Sequence, residues 1–296
     1  MVLPCYRSSG HRLCLTVALL NPCRTAVLTK RRYRPYLSLI ESGTRINSDN
    51  GRERHFLGSI RFGAASKAET VNRMREKIAY SAALLGSVVM VRNLYLIFMV
   101  APDEASQGMI YRLLYFHVPA WWTAFLAVGL SGVFSSLYLL KGHLSYDAVA
   151  ASVTEVAVVF LAMGITLGSI WGRIIWGIWW AWDARLTSAL ICVLLYSGYL
   201  MLRRSIDEPT RRARISAVFS LFAFLDVPIV WFSIRWWRTQ HPQPMQLPTE
   251  MWHIFLWNWL GFVLLTTALT LIRLDQEEAE RKVRSLRHLS GMFVGD

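Results

Sequence analysis

Two histidines stand out for what surrounds them. His117 lies in Tyr115-Phe116-His117-Val118-Pro119, and His241 in Trp236-Trp237-Arg238-Thr239-Gln240-His241-Pro242. Between them the chain runs Trp171-Gly172-Arg173-Ile174-Ile175-Trp176-Gly177-Ile178-Trp179-Trp180-Ala181-Trp182-Asp183-Ala184-Arg185, which puts five Trp in twelve residues. A lone imidazole at the end of an apolar run is more often interfacial or capping than a metal ligand. Two of them flanking an indole-rich surface are what axial ligation of a haem iron over an aromatic bed requires. Haem also carries two propionates, and the planar guanidinium fork suits bidentate carboxylate pairing. Arg173, Arg185, Arg235 and Arg238 all compete for that role.

If the second half of the Trp segment is helical, Trp176, Trp179, Trp180 and Asp183 fall at i, i+3, i+4 and i+7 and share one face. An interfacial aromatic belt is the ordinary alternative, but a belt accounts for one or two Trp at a helix end. Five Trp with Gly172 and Gly177 among them point instead to a platform for a planar ligand. Asp183 has a compatible second reading as the N-cap of the helix that follows.

The remaining candidates are weaker. His143 falls in a connection on the opposite side, and His253, inside the start of an apolar run, reads as a buried, hydrogen-bonded histidine. His11, His55 and His288 sit in basic polar segments. Asp226, two residues before Pro228 in an apolar run, is an intramembrane acid and so a functional candidate; its bland role is a bond to backbone freed by the proline. Glu155 reads as an acid reaching the interface. Cys5, Cys14, Cys23 and Cys192 form no CxxC pair, zinc spacing or disulfide framework.

The elements that must position these residues follow from composition. The 296 residues are 54% hydrophobic and only 17% charged, with 13 Trp and a mean hydropathy of +0.34, too little polar surface for a soluble chain. Six apolar stretches of roughly 20 residues can each cross a bilayer: 79 to 100, 118 to 140, 149 to 170, 184 to 202, 215 to 234 and 252 to 272. The expected fold is an all-α polytopic membrane protein, six transmembrane helices with a Trp-rich outer-face connection. Arg92 and Asn93 interrupt the first span, so neighbours must shield that charge or the span sits off-centre. The second span is expected to begin at Val118-Pro119, with proline in its first turn, where no amide is wasted. Connections 141–148 and 203–214 and the C-terminal tail carry eleven Lys+Arg, against five in the other set. The positive-inside rule therefore puts both termini inside and connections 101–117, 171–183 and 235–251 outside.

The formal charge of +13 is not a nucleic-acid signature. Residues 1–77 hold 15 Lys+Arg against 5 Asp+Glu, net +10, and residues 78–296 hold 17 against 14, net +3. The first acid is Glu41. An Arg-rich, hydroxyl-bearing, acid-poor start is the composition of an organelle transit peptide, here mitochondrial, rather than a secretory signal, since Asn21-Pro22-Cys23 is a poor cleavage site. The expected organisation is a basic presequence or disordered extension over 1–70, a six-helix membrane domain over 71–275 and a charged inner-side tail over 276–296.

Over roughly residues 79 to 275 the sequence resembles the CcmC family, haem-handling membrane proteins of the multi-component (system I) cytochrome c maturation pathway. The most specific match is the tryptophan-rich WWD signature, WGRIIWGIWWAWDARLTS from Trp171 to Ser188. Its WDARLTS ending separates it from the related CcmF and CcsA patterns. YRLLYFHVPA (Tyr111 to Ala120) and SIRWWRTQH (Ser233 to His241) also match. The resemblance implies that His117 and His241 are axial haem ligands, with Trp171, Trp176, Trp179, Trp180, Trp182, Asp183 and Arg185 binding the cofactor. It implies haem b held non-covalently and passed on, a delivery protein rather than an enzyme. Its implied partners are the haem chaperone CcmE, CcmD, the CcmA and CcmB transporter subunits, and membrane lipid. Its implied location is the mitochondrial inner membrane, or a bacterial-type inner membrane if residues 1–70 are no presequence. The sequence departs from the family pattern at Asp226, at Trp231 and in TQHPQ around His241. Two other readings compete: a haem transporter permease subunit, which needs polar or broken helices at the midplane of both halves, and a haem-b electron-transfer subunit, which would place its paired histidines inside the spans.

Overall fold

The computed structural model describes the backbone of residues 51–241 and 247–294, and the side chains of residues 69–241 and 247–287. The first fifty residues of the expected presequence lie outside the described residues. Residues 51–61 are helical, and Phe62 onward belongs to one compact unit. Seven α-helices appear among the described residues: α1 Gly51–Tyr95, α2 Leu114–Lys141, α3 Leu144–Trp176, α4 Ala184–Arg204, α5 Pro209–Phe224, α6 Asp226–Trp236 and α7 Thr249–Val294. They supply six helical segments long and apolar enough to cross a membrane, with α5 and α6 together making the fifth. The chain is a multi-pass all-α membrane protein, and the residues read as an inner tail continue α7 as helix to Val294.

Local chemistry sets the helix ends. Gly142 (φ 73°) and Gly177 (φ 75°) take the left-handed conformation and stop α2 and α3. Asp183 caps α4 by accepting the Leu186 amide at 2.9 Å. Glu208 caps α5, with Pro209 in its first turn. Pro228 in an unbroken helix would meet the Phe224 carbonyl. The fifth span instead breaks at Leu225, so that Pro228 falls in the first turn of α6.

The second span differs from its expected start. A 3-10 turn, Met109–Leu113, leads into α2, which begins at Leu114 and leaves Pro119 inside the helix. Proline has no amide for the carbonyl four residues back, and that carbonyl, Tyr115, accepts instead from the fully buried Asn258 side chain of α7. Asn258→Leu would orphan a buried carbonyl in a medium without water, at a cost of about 1–3 kcal/mol. A lower unfolding midpoint in detergent checks this; an unchanged midpoint counts against it.

The core lies where α2, α3 and α4 meet. Ala120, Ala124, Ala127, Ser131 and Ser135 form a small-residue stripe on α2, the kind of face that lets membrane helices approach closely. In it, Thr154 donates to Ser131 at 2.7 Å, and Ser131 pairs with Ser220 at 3.2 Å. Arg92 lies in the last turn of α1, exposed, with a neighbour against its charge: the guanidinium stands over the Trp257 ring at 5.6 Å. Its neighbour Asn93 is fully buried and donates to the Ile254 carbonyl at 3.3 Å. Glu155 does not simply reach the interface but pairs with Arg273 of α7.

Candidate functional site

At the end of the bundle bearing His117, the helices α2, α3, α4, α6 and α7 enclose a cavity of about 560 Å³. That is within the roughly 300–1,000 Å³ typical of small-molecule sites. Its walls include His117, Trp121, Trp122 and Phe125 from α2, Trp171 and Trp176 from α3, Arg185 and Ala189 from α4, Trp231 and Arg235 from α6, and Trp252 and Phe255 from α7. Gln107, Trp180, Gln240 and His241 complete it from the connections. Two histidines 124 positions apart in sequence therefore face one cavity.

His117 is set by glycines. A Cβ on Gly168 would stand 2.8 Å from its Cε1, and one on Gly164 would stand 2.6 Å from the Trp121 indole nitrogen. These two residues, one turn apart on α3, leave a step on which both rings rest. The His117 Nδ1 lies 3.0 Å from the Gly164 carbonyl. A carbonyl only accepts, so Nδ1 carries the proton and Nε2 keeps a lone pair, the tautomer that a metal-ligating histidine with a carbonyl partner adopts. Trp171 meets the imidazole edge-on, with centroids 6.0 Å apart, and donates its indole N–H to Gln107 at 2.8 Å. Glu104 shapes the turn bearing Gln107 by accepting from the Ser106 hydroxyl and from the Ser106 and Gln107 amides. These donors, the Ser106 hydroxyl foremost, hold the Glu104 carboxyl below the usual carboxylate range.

His241 is half-buried, and its segment is tied to the start of α4. Asp183 divides its carboxylate: Oδ1 caps α4, while Oδ2 accepts from the Thr239 hydroxyl at 2.5 Å and the Gln240 amide at 2.9 Å. The Thr239 hydroxyl in turn accepts the His241 amide at 3.1 Å. Two residues on, Arg185 donates to the Val230 carbonyl of α6 at 2.7 Å. The first turn of α4 thus clamps the arm that carries His241. Asp183 itself is not among the cavity-lining residues.

The Trp segment departs from the expected helical stripe. It is its first half that is helical, because α3 continues through Trp176 and the left-handed Gly177 ends it; residues 178–183 are non-helical. Trp171, Trp176 and Trp180 line the cavity, whereas Trp179 and Trp182 are 61% and 78% exposed and do not. Trp121, Trp122 and Trp231 replace them in the wall. Trp121 and Phe125 follow His117 at i+4 and i+8, a spacing that places them on the histidine's face.

Of the four arginines, Arg185 and Arg235 line the cavity. Arg173 bonds the Gly177 carbonyl, and Arg238 is exposed and does not line the cavity. His143 precedes α3 at the opposite end, exposed and edge-on to Tyr146. His253 is exposed on α7 rather than buried, since Met251 and Phe255 take the inward positions beside it. Asp226 is buried, its carboxyl beside the Cys192 thiol and its Oδ2 without a partner among the described residues, so no bond to proline-freed backbone engages that oxygen.

Comparison with known proteins gives the same outline. A family model described as CcmC, heme exporter protein C, matches residues 61–289. A heme exporter protein C of Bradyrhizobium diazoefficiens is 35% identical over 195 residues, covering 63% of this chain and 74% of that protein. The Escherichia coli (strain K12) heme exporter protein C is 32% identical over 184 residues, 59% of this chain and 73% of its own. A putative cytochrome c biosynthesis ccmC-like mitochondrial protein of Marchantia polymorpha is 34% identical over 154 residues, 52% and 64% of the two chains. With the family model covering most of its length, the chain belongs to the CcmC, heme exporter protein C, family.

Proposed function

We propose that the chain handles haem in cytochrome c maturation as a multi-pass protein of the mitochondrial inner membrane, holding haem b non-covalently at the outer end of the bundle and delivering it to the haem chaperone CcmE. CcmD and the CcmA and CcmB transporter subunits are the companions this role implies. The observation that carries the reading is the convergence of His117 and His241 on one aromatic cavity that also presents Arg185 and Arg235.

The residues fit such a cargo. Trp171, Trp176 and Trp180 line the cavity with indole surface against which a planar macrocycle would pack. Arg185 and Arg235 suit its carboxylates, and the fixed tautomer of His117 leaves a nitrogen for iron. The apolar stretch lined by Trp121, Phe125 and Ala189 would cover the macrocycle edge. Trp179, Trp182 and Asp183 lie outside the lining. At the rim Trp182 meets Trp180 edge-on, with centroids 6.0 Å apart, and Asp183 holds the His241 arm. No bond in the cargo is made or broken by these contacts, so the role is binding and hand-over rather than turnover.

Trp180→Ala should lower haem retention several-fold, whereas Trp179→Ala should leave it unchanged, read as haem absorbance per protein after purification. Equal losses would contradict the division of the segment into lining and exposed Trp, and no loss from either would return it to an interfacial belt. Delivery is tested by capturing the chain with the haem chaperone: the complex should hold haem, and haem depletion should weaken it. Capture that is indifferent to haem would contradict delivery.

A further inference from the structure

The inner end of the bundle, opposite the cavity, gathers arginines, most of them without an ion pair among the described residues. Arg203 on the last turn of α4 forms a buried two-pronged pair with Asp147 of α3, at 2.6 and 3.0 Å. Arg212 on the first turns of α5 is half-buried and faces Arg203, Asp147, and Arg284 and Glu277 of α7. Both acids it faces already serve another guanidinium, Asp147 that of Arg203 and Glu277 that of Arg273 at 3.2 Å. The buried Arg212 Nε has no acceptor among the described residues.

On the same two helix ends, Arg204 of α4 and Arg211 and Arg214 of α5 are exposed and make no ion pair among the described residues. The one ion pair of Arg284 among the described residues is a 3.7 Å contact with Glu280. Of the two acids in the intervening loop, Glu208 spends its carboxylate on the Thr210 and Arg211 amides, which leaves Asp207 against this group.

A half-buried guanidinium set among like charges, with a donor unspent, is costly unless an anion meets it. The helices that bear or adjoin these arginines also expose apolar side chains, Leu140 at the end of α2, Met201 on α4, and Ile215 and Val218 on α5, a surface that acyl chains would cover. Guanidinium forks match phosphate oxygens, and basic pockets between spans on the inner side suit lipid headgroups.

We propose that this corner, centred on Arg212 with Arg204, Arg211 and Arg214, binds the phosphate headgroup of an anionic phospholipid of the inner leaflet. The apolar surface beside it selects the lipid over free phosphate.

The test is native mass spectrometry of the full chain released from nanodiscs of phosphatidylcholine containing a minor fraction of phosphatidylglycerol. The chain should retain phosphatidylglycerol several-fold over its share of the mixture, and the Arg204→Gln/Arg212→Gln variant should lose that preference. Arg73→Gln, which removes an exposed arginine of α1 far in sequence from the corner, should keep it. If the double variant does not fold, Arg214→Gln, which removes only an exposed side chain, should still weaken retention. No preference in the wild-type chain, or equal displacement by millimolar inorganic phosphate, overturns the proposal.

Discussion

His117→Ala and His241→Ala should each reduce haem retention by at least about tenfold, the lower end of the loss seen when only the supporting shell of a metal site is disturbed. What haem remains should show one imidazole on the iron instead of two. The expectation rests on placement: both rings line the same cavity, and neither has an equivalent neighbour among the described residues, since His253 is exposed and does not line it and His143 sits at the other end of the bundle. His143→Ala should leave the spectrum unchanged. If all three variants behave alike, the effect is one of folding and the ligand assignment fails.

Asp183→Ala should be nearly as damaging although this side chain does not line the cavity. It removes the α4 cap, worth about 1 kcal/mol, together with two bonds to the segment carrying His241. Hydrogen bonds to a charged acceptor contribute about 1.5–3 kcal/mol each. The specific signature is selective loss of the His241 ligand while His117, held by Gly164 and Gly168 on α3, stays in place. A one-imidazole spectrum matching that of His241→Ala supports a positioning role, and Asp183→Asn, which keeps an acceptor oxygen, should recover part of the second ligand. A fall in both ligands together would mean that Asp183 serves stability alone.

These two cases show what was legible in the sequence. Six spans and the three connections that collect histidine, Trp and Arg follow from hydropathy and charge, and the cavity forms at that end. The second duty of Asp183 was not legible. Its partners Thr239 and Gln240 are 56 and 57 residues away, and nothing local ties them together. The helix through Trp176 was missed because a 3.6-residue spacing can be laid over any Trp-rich run, whereas the stop is set by one left-handed glycine, Gly177. The separation of Arg185 and Arg235 from Arg173 and Arg238 depends on where each helix ends, which charge and spacing do not encode. Gly164 and Gly168 did leave a trace, two small residues one turn apart in an apolar run, but their partners, Trp121 and His117, are known only from packing.

The most direct measurement of the central claim is the absorption and electron paramagnetic resonance spectrum of the full chain purified from haem-replete membranes. Haem in equimolar amount, with low-spin iron bound by two imidazoles and lost when either His117 or His241 is replaced, is the predicted result. A chain that carries no haem, or haem whose spectrum is indifferent to both replacements, would contradict it.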